Sequence, residues 1–292
     1  AQRVDGASSG VFAPVRFSRD QIQEIRYASL LHDFGKVGVR EKVLVKAKKL
    51  FFGEMLALRQ RFGVIKRTVE AEYLRDKVAK LEAGASRDEI QALDAAHATR
   101  QAGIDVALEI ILRSNEPTVL EAETAQALYE LPSLTYVDLD GVARPYITAH
   151  ELAALSIRRG SLSEPERVEI ESHVTHTYRF LSQIPWTGEF SRVPEIAFAH
   201  HEKLDGTGYP RRLQGAEIPI QSRMMTISDI FDALVAWDRP YKKAVPVERA
   251  LGILDEEARQ GKLDTELLRI FVEARVYELT ARPPGAYAGP ST

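Results

Sequence analysis

The chain has 292 residues, 45% apolar and 28% charged, enough to bury a full core as one large domain or two small ones. It contains no cysteine, which excludes disulfides, thiolate metal sites and a cysteine nucleophile and leaves His, Asp and Glu as the strong metal ligands. The net charge of -3, with no long basic run, leaves no footprint for a nucleic-acid polymer; no apolar run of membrane-spanning length and no signal-peptide core are present, so the expected location is cytoplasmic.

Residues 1–17 are small and irregular. A capping box at Ser18/Gln21 opens a helix whose inward face carries Ile22, Ile25, Ser29 and His32 and which runs to Gly35. Further boxes at Ser86/Glu89, Thr118/Glu121, Thr148/Glu151 and Ser163/Glu166 predict four more helix starts. Between the first two boxes, Val64, Val69, Leu74, Val78 and Leu81 predict a narrow apolar stripe on a helix with mixed charges on its other faces. Leu134 to Ile147 predicts a hairpin turning at Asp140-Gly141, with Pro145 marking it as an edge ribbon. After Ser163, Val168, Ile170, His173, Val174, Thr177 and Leu181 trace a long helix with His173 beside the apolar stripe. Arg192 to His201 predicts a helix stopped by the Asp205-Gly206-Thr207-Gly208 turn. Arg223 to Ala236 predicts another, with Asp229 and Asp232 on one face among apolar residues, and Pro246 to Ala258 and Thr265 to Tyr277 close the fold. Ala281 to Thr292 is a Pro/Gly/Ala-rich flexible tail, and no internal repeat occurs. The expected fold class is all-α, a helical bundle with a large, mostly helical insertion containing one short β-hairpin.

A few residues concentrate ligand chemistry. The His32-Asp33 pair offers an imidazole and a carboxylate that could bridge two cations, although such a pair also serves as a surface or capping contact. His200 and His201 are consecutive, so on a helix they point about 100° apart and face one ion only near a helix end. The alternative is one inward histidine bonded to backbone and one in solvent. His173 and His176 are one turn apart, His173 being the better ligand and His176 an outer or exposed group. His97 and His150 have no expected metal role. A buried Asp229 needs a metal or a cationic partner, and Arg239 and Lys242 offer an internal ion-pair network as the competing answer. Lys36, just past Gly35, could aim its ammonium at a phosphate oxygen or simply sit at a helix C-terminus.

In order, Leu31-His-Asp-Phe-Gly-Lys-Val-Gly38, Gly160-Ser-Leu-Ser-Glu-Pro-Glu-Arg167 leading to His173, His200-His-Glu-Lys-Leu-Asp-Gly-Thr-Gly-Tyr-Pro210, Ile227-Ser-Asp-Ile-Phe-Asp-Ala-Leu234 and Arg239-Pro-Tyr-Lys242 resemble the HD-GYP family of HD phosphohydrolases. The resemblance implies an HD-type helical domain over 18–49 and 160–280, an insertion over 50–159, an N-terminal segment 1–17 and a tail 281–292. It implies hydrolysis of cyclic di-GMP to pGpG, and on to GMP, by hydroxide attack on phosphorus at two or three iron or manganese ions. Asp33 would bridge two metals, His173, His200 and His201 would complete one site, and His32 and Asp229 would serve the other. Asp33 and Lys36 would be catalytic, Lys36 contacting phosphate. Gly206, Gly208, Tyr209 and Pro210 would border the nucleotide, with Arg239 and Tyr241 supporting or contacting it.

The sequence departs from the family pattern in three places. No histidine precedes Ser18, where the family carries a further ligand, so either the chain begins after that helix or another group completes the first site. Lys46-Ala47-Lys48 replaces the usual Lys-Pro-Gly, and residues 50–159 separate segments that are nearly continuous in typical members. The insertion reads as a packed subdomain, as an active-site cover or as a dimerisation arm, the last of which would make the chain a homodimer. The competing functional readings are a catalytically weak metal-containing receptor or scaffold for a cyclic dinucleotide or signalling protein, and a hydrolase of a different cyclic dinucleotide.

Overall fold

The computed structural model describes residues 1–5, 11–236 and 244–279. In chain order the helices are α1 (Gln2–Asp5), α2 (Arg19–Leu31), α3 (Glu41–Leu44), α4 (Phe52–Glu82), α5 (Arg87–Ser114) and α6 (Ala122–Glu130). The strands β1 (Thr135–Val137) and β2 (Ala143–Pro145) follow, then α7 (Ala149–Leu155), α8 (Glu164–Leu181), α9 (Val193–Phe198), α10 (Ile220–Val235), α11 (Val247–Arg259) and α12 (Thr265–Glu273). Among the described residues the two strands form the only sheet, antiparallel with Tyr136 opposite Arg144, and the fold is all-α. The chain forms two compact units, residues 1–45 with 167–292 and residues 46–166.

Capping boxes form at Ser18, Ser86 and Thr148, each hydroxyl accepting from the N–H three residues on while that residue's side chain accepts from the cap N–H. At Ser163 the Glu166 carboxylate accepts from both the Ser163 N–H and its hydroxyl. No box forms at Thr118: α6 begins only at Ala122, and the Leu120 N–H is taken by the Arg158 carbonyl at 3.0 Å. The start of α4 carries half a box that the Ser/Thr pattern misses, the Glu54 carboxylate accepting from the Phe51 N–H at 2.8 Å. Residues 2–5, expected to be irregular, make one helical turn with Val4 buried. α2 stops at Leu31, short of the expected Gly35, and a 3-10 turn from Phe34 to Gly38 follows. α9 stops at Phe198, three residues before the expected His201.

In the 46–166 unit, α4 and α5 pack along Leu58, Phe62, Ile65 and Val69 against Ile104, Ala107 and Ile111. Each of these buried side chains larger than alanine contributes roughly 1.5–3 kcal/mol. The inward stripe of α4 differs from the expected one, because Leu74, Val78 and Leu81 are at least half exposed. Val69 holds the inward position and Leu74, five residues on, is turned by about 140° from it. Arg61 forks onto Glu151 at 2.7 and 3.0 Å, and Glu151 also accepts from the Thr148 N–H. Burial would raise the Glu151 carboxyl, but Arg61 and the Thr148 N–H hold it below the usual range.

In the other unit, α2, α8, α9 and α10 share a core of Ala28, Leu181, Val193, Ile196, Ala197 and Met225. A second core joins α10, α11 and α12 through Phe231, Leu254 and Phe271 and includes Val4 of α1. Asp232, expected on the same face as Asp229, is exposed, leaving Asp229 as the inward carboxylate of α10; Arg239, Tyr241, Lys242 and the 281–292 tail lie outside the described residues.

Candidate metal centre

The C-terminal ends of two helices and the interiors of two others converge. His32 is the C-cap of α2, Asp33 follows it, His173 lies in α8, His200 and His201 sit in the turn after α9, and Asp229 lies in α10. The early end of α9 is what lets the two consecutive histidines face one region, since residues continuing a helix would diverge. His173 and His200 are fully buried.

Three imidazoles are held in one way. His32 Nδ1 lies 2.7 Å from the Ser29 carbonyl, His173 Nδ1 2.5 Å from Ile170 and His200 Nδ1 2.6 Å from Ala197, each three residues upstream. A carbonyl accepts only, so each Nδ1 carries a proton and each Nε2, in the neutral ring, presents a lone pair. All three Nε2 atoms are buried without a hydrogen-bond partner, and so is Asp33 Oδ1. Buried polar atoms left in this state are costly unless something binds them, and carbonyl-anchored histidines are the usual support for a metal-ligating Nε2. Ligand atoms of His173, His200 and His201 lie within 4.8 Å of one another, as do those of His32, Asp33 and His200. His200 belongs to both groups. Asp33 turns Oδ1 to His173 Nε2 at 3.3 Å and Oδ2 to His32 Nε2 at 3.4 Å, while Asp229 Oδ1 lies 3.6 Å from His32 Nε2. The residues present therefore fit one or more divalent ions on nitrogen and oxygen.

The electrostatics agree with this donor set. Burial would raise the Asp33 carboxyl, but His173, Lys36 at 2.6 Å and His32 hold it well below the usual carboxylate range. Burial also works against ionised Asp229, and His32, His201 and His200 overcome it, so this carboxyl too is held down. Burial and the neighbouring His32 push His200 down to about 4, and burial with His200 beside it pushes His201 down to about 2. Both rings are thus neutral near pH 7 and available as ligands. His32 moves the other way: burial would lower it, but Asp229, Asp33 and the Ser29 carbonyl raise it.

The Gly206–Pro210 loop lies against the histidine pair. The Tyr209 ring lies 4.8 Å from the His201 ring, centroid to centroid, and the Tyr209 N–H bonds the His201 carbonyl at 3.2 Å. Burial, with Glu171, Asp229 and Asp33 nearby, raises the Tyr209 phenol, which therefore stays protonated. Gly206 has φ 77°, which favours glycine. A Cβ on Gly208 would collide with the Lys203 nitrogen and the Glu202 backbone, so the loop closes only over a bare Cα. Pro210 follows through a cis peptide bond.

Several supporting groups carry no motif-like signal. Thr177 Oγ1 donates to the His32 carbonyl and accepts from the Gly35 N–H, both at 2.8 Å. Thr226 Oγ1 sits 2.7 Å from the His200 carbonyl. Gly35 packs directly on the backbone of α8, and a Cβ there would collide with the His173 carbonyl. His176 faces the backbone of Gly38 rather than the cluster. In the 46–166 unit His97 stacks on Tyr73 at 4.1 Å and His150 Nε2 lies 3.0 Å from a Glu54 carboxylate oxygen.

Residues 148–267 match the HD domain family. The chain is 38% identical over 113 residues to a 3'3'-cGAMP-specific phosphodiesterase 3 of Vibrio cholerae, covering 37% of this chain and 24% of that protein. It is 34% identical over 172 residues to the 3'3'-cGAMP-specific phosphodiesterase 1 of the same organism, covering 58% and 37%. Similarity to a cyclic di-GMP phosphodiesterase of Thermotoga maritima is 39% over 117 residues, covering 37% and 29%. The chain thus spans well under two thirds of the length of these curated relatives.

Proposed function

We propose, for a chain that belongs to the HD-GYP family of HD domains, a metal-dependent phosphodiesterase activity on 3',3'-linked cyclic dinucleotides. The observation that carries this reading is the convergence of three carbonyl-anchored Nε2 atoms on Asp33, with the Lys36 ammonium alongside. His173, His200, His201, His32, Asp33 and Asp229 would hold two divalent ions, for which the nitrogen and oxygen donors favour iron or manganese. Such ions would activate water and offset phosphoryl charge.

The chain's own residues divide the remaining work. Asp33 stays ionised and presents its two oxygens to different histidines, the geometry of a bridging ligand. Lys36, 41% exposed at its side chain, can swing from Asp33 to a phosphoryl oxygen and stabilise charge as it develops. The protonated Tyr209 phenol offers a hydrogen-bond donor at the rim, and Gly206, Gly208 and Pro210 shape the nucleotide-bordering loop. Arg239 and Tyr241 remain proposed substrate contacts. Cyclic di-GMP is the first candidate substrate, yielding pGpG and then GMP, and 3'3'-cGAMP is the second, because relatives carry both names.

The setting proposed with this activity is cytoplasmic. No helix among the described residues is long and apolar enough to cross a membrane. Incubating iron- or manganese-loaded protein with each dinucleotide and separating products by chromatography tests the activity. Linear product from wild type and none from Asp33→Ala supports it; tight nucleotide binding without turnover would replace the hydrolase with a receptor.

A further inference from the structure

Glu202 directly follows the histidine pair, and both of its carboxylate oxygens are taken by backbone N–H groups. Its side chain is buried, with 2% of the residue exposed. Oε1 accepts the Arg211 N–H at 2.7 Å and Oε2 accepts the Leu213 N–H at 3.0 Å, so each oxygen is given to a backbone donor on the far side of the Gly206–Pro210 loop. A buried carboxylate is costly to desolvate, and two charge-assisted bonds to backbone are a specific way to offset that cost.

The other backbone ties of the loop lie at its base and within its turn. At its base the Leu204 N–H bonds the Lys262 carbonyl at 3.0 Å, and the Gly215 N–H bonds the Leu204 carbonyl at 3.1 Å. Within the turn, Asp205 Oδ1 accepts the Thr207 N–H and hydroxyl. Tyr209 is tied to the His201 carbonyl, and Gly208 rests on the Glu202 backbone. The backbone immediately after Pro210 is held by the Glu202 carboxylate, while the Arg211 side chain is separately paired with Glu195 and lies over the Phe198 ring.

We infer that Glu202 is the positioning residue of this site, a clamp that joins the histidine pair to the nucleotide-bordering loop and sets where Tyr209 stands; this rests on the proposed hydrolase reading for its catalytic consequence. Main-chain connectivity fixes Glu202 beside His200 and His201, and its side chain carries that fixed point across to Arg211 and Leu213. The clamp therefore acts on how the substrate is held more than on how metal is bound.

Two measurements on the full chain test it, the first independent of activity. In wild type the Arg211 and Leu213 amides are protected from hydrogen exchange, and in Glu202→Gln, which puts an NH2 group where an acceptor stood, at least one of them exchanges about 10-fold faster or more. Metal per chain stays at the wild-type value. In the second, KM for cyclic di-GMP rises about 10-fold or more while kcat changes far less, because the loop and not the ligand set is displaced. Unprotected Arg211 and Leu213 amides in wild type, unchanged exchange in the variant, or loss of metal and kcat at constant KM would each overturn the clamp. Should wild type hydrolyse no cyclic dinucleotide, the hydrolase reading falls, and the exchange result still decides whether the clamp exists.

Discussion

His173 Nε2 stands 3.3 Å from Asp33 Oδ1, and both atoms are buried with no hydrogen bond to satisfy them. One belongs to the middle of α8 and the other to the turn after α2, so the contact depends on two helices meeting side by side. The approach is made possible by Gly35, which lets the chain after Asp33 lie directly on the α8 backbone.

Asp33→Asn keeps the shape of this side chain and removes its charge. The amide no longer offers two anionic oxygens to the two histidine groups, so metal per chain measured by elemental analysis is expected to fall by at least half. Hydrolysis of cyclic di-GMP should drop by about 100-fold or more.

Metal should also stabilise the folded chain, because the ligand set comes together only in the native state. Manganese at about 100 times its dissociation constant is expected to add roughly 2.7 kcal/mol in chemical denaturation. A chelator should reverse the gain, and His173→Ala should abolish most of it.

Thr177→Val leaves the Gly35 N–H and the His32 carbonyl without their buried partner. The expected loss is about 1–3 kcal/mol in urea unfolding. Gly35→Ala should cost at least as much, since the new methyl group meets backbone that cannot turn aside.

The Arg61–Glu151 pair gives the 46–166 unit a pH dependence. Glu151 has a lowered pKa in the fold, so its contribution is fully present above the ordinary glutamate value of about 4.3 and is lost as pH falls through the lower folded value. Wild type should therefore lose its advantage over Glu151→Gln as pH falls below the ordinary glutamate value, followed in urea titrations at successively lower pH.

Much of this was legible in the chain itself. Absence of cysteine confined metal chemistry to nitrogen and oxygen, and Ser18, Ser86 and Thr148 announced three helix starts because a capping box is satisfied locally, within four residues. The residues of the histidine and aspartate cluster could be named as a ligand set through the resemblance of their motifs to the HD-GYP family; residue type and spacing alone left each of them a competing structural role.

Only the folded chain decided the rest. Periodicity defines a face of a helix but not which face finds a partner, so the stripe through Leu74, Val78 and Leu81 stayed in solvent while Leu58, Phe62, Ile65 and Val69 went inward. Of Asp229 and Asp232, tertiary packing turned one toward His32 and left the other exposed. The roles of Thr177 and Glu202 were not readable from the sequence, although Glu202 stands within the His200-to-Pro210 motif, because their partners are backbone groups, which no side-chain pattern advertises. Residue type determined what chemistry this protein can perform; the meeting of α2, α8, α9 and α10 decided where those groups stand, since distances between remote segments arise only when their apolar faces are buried together.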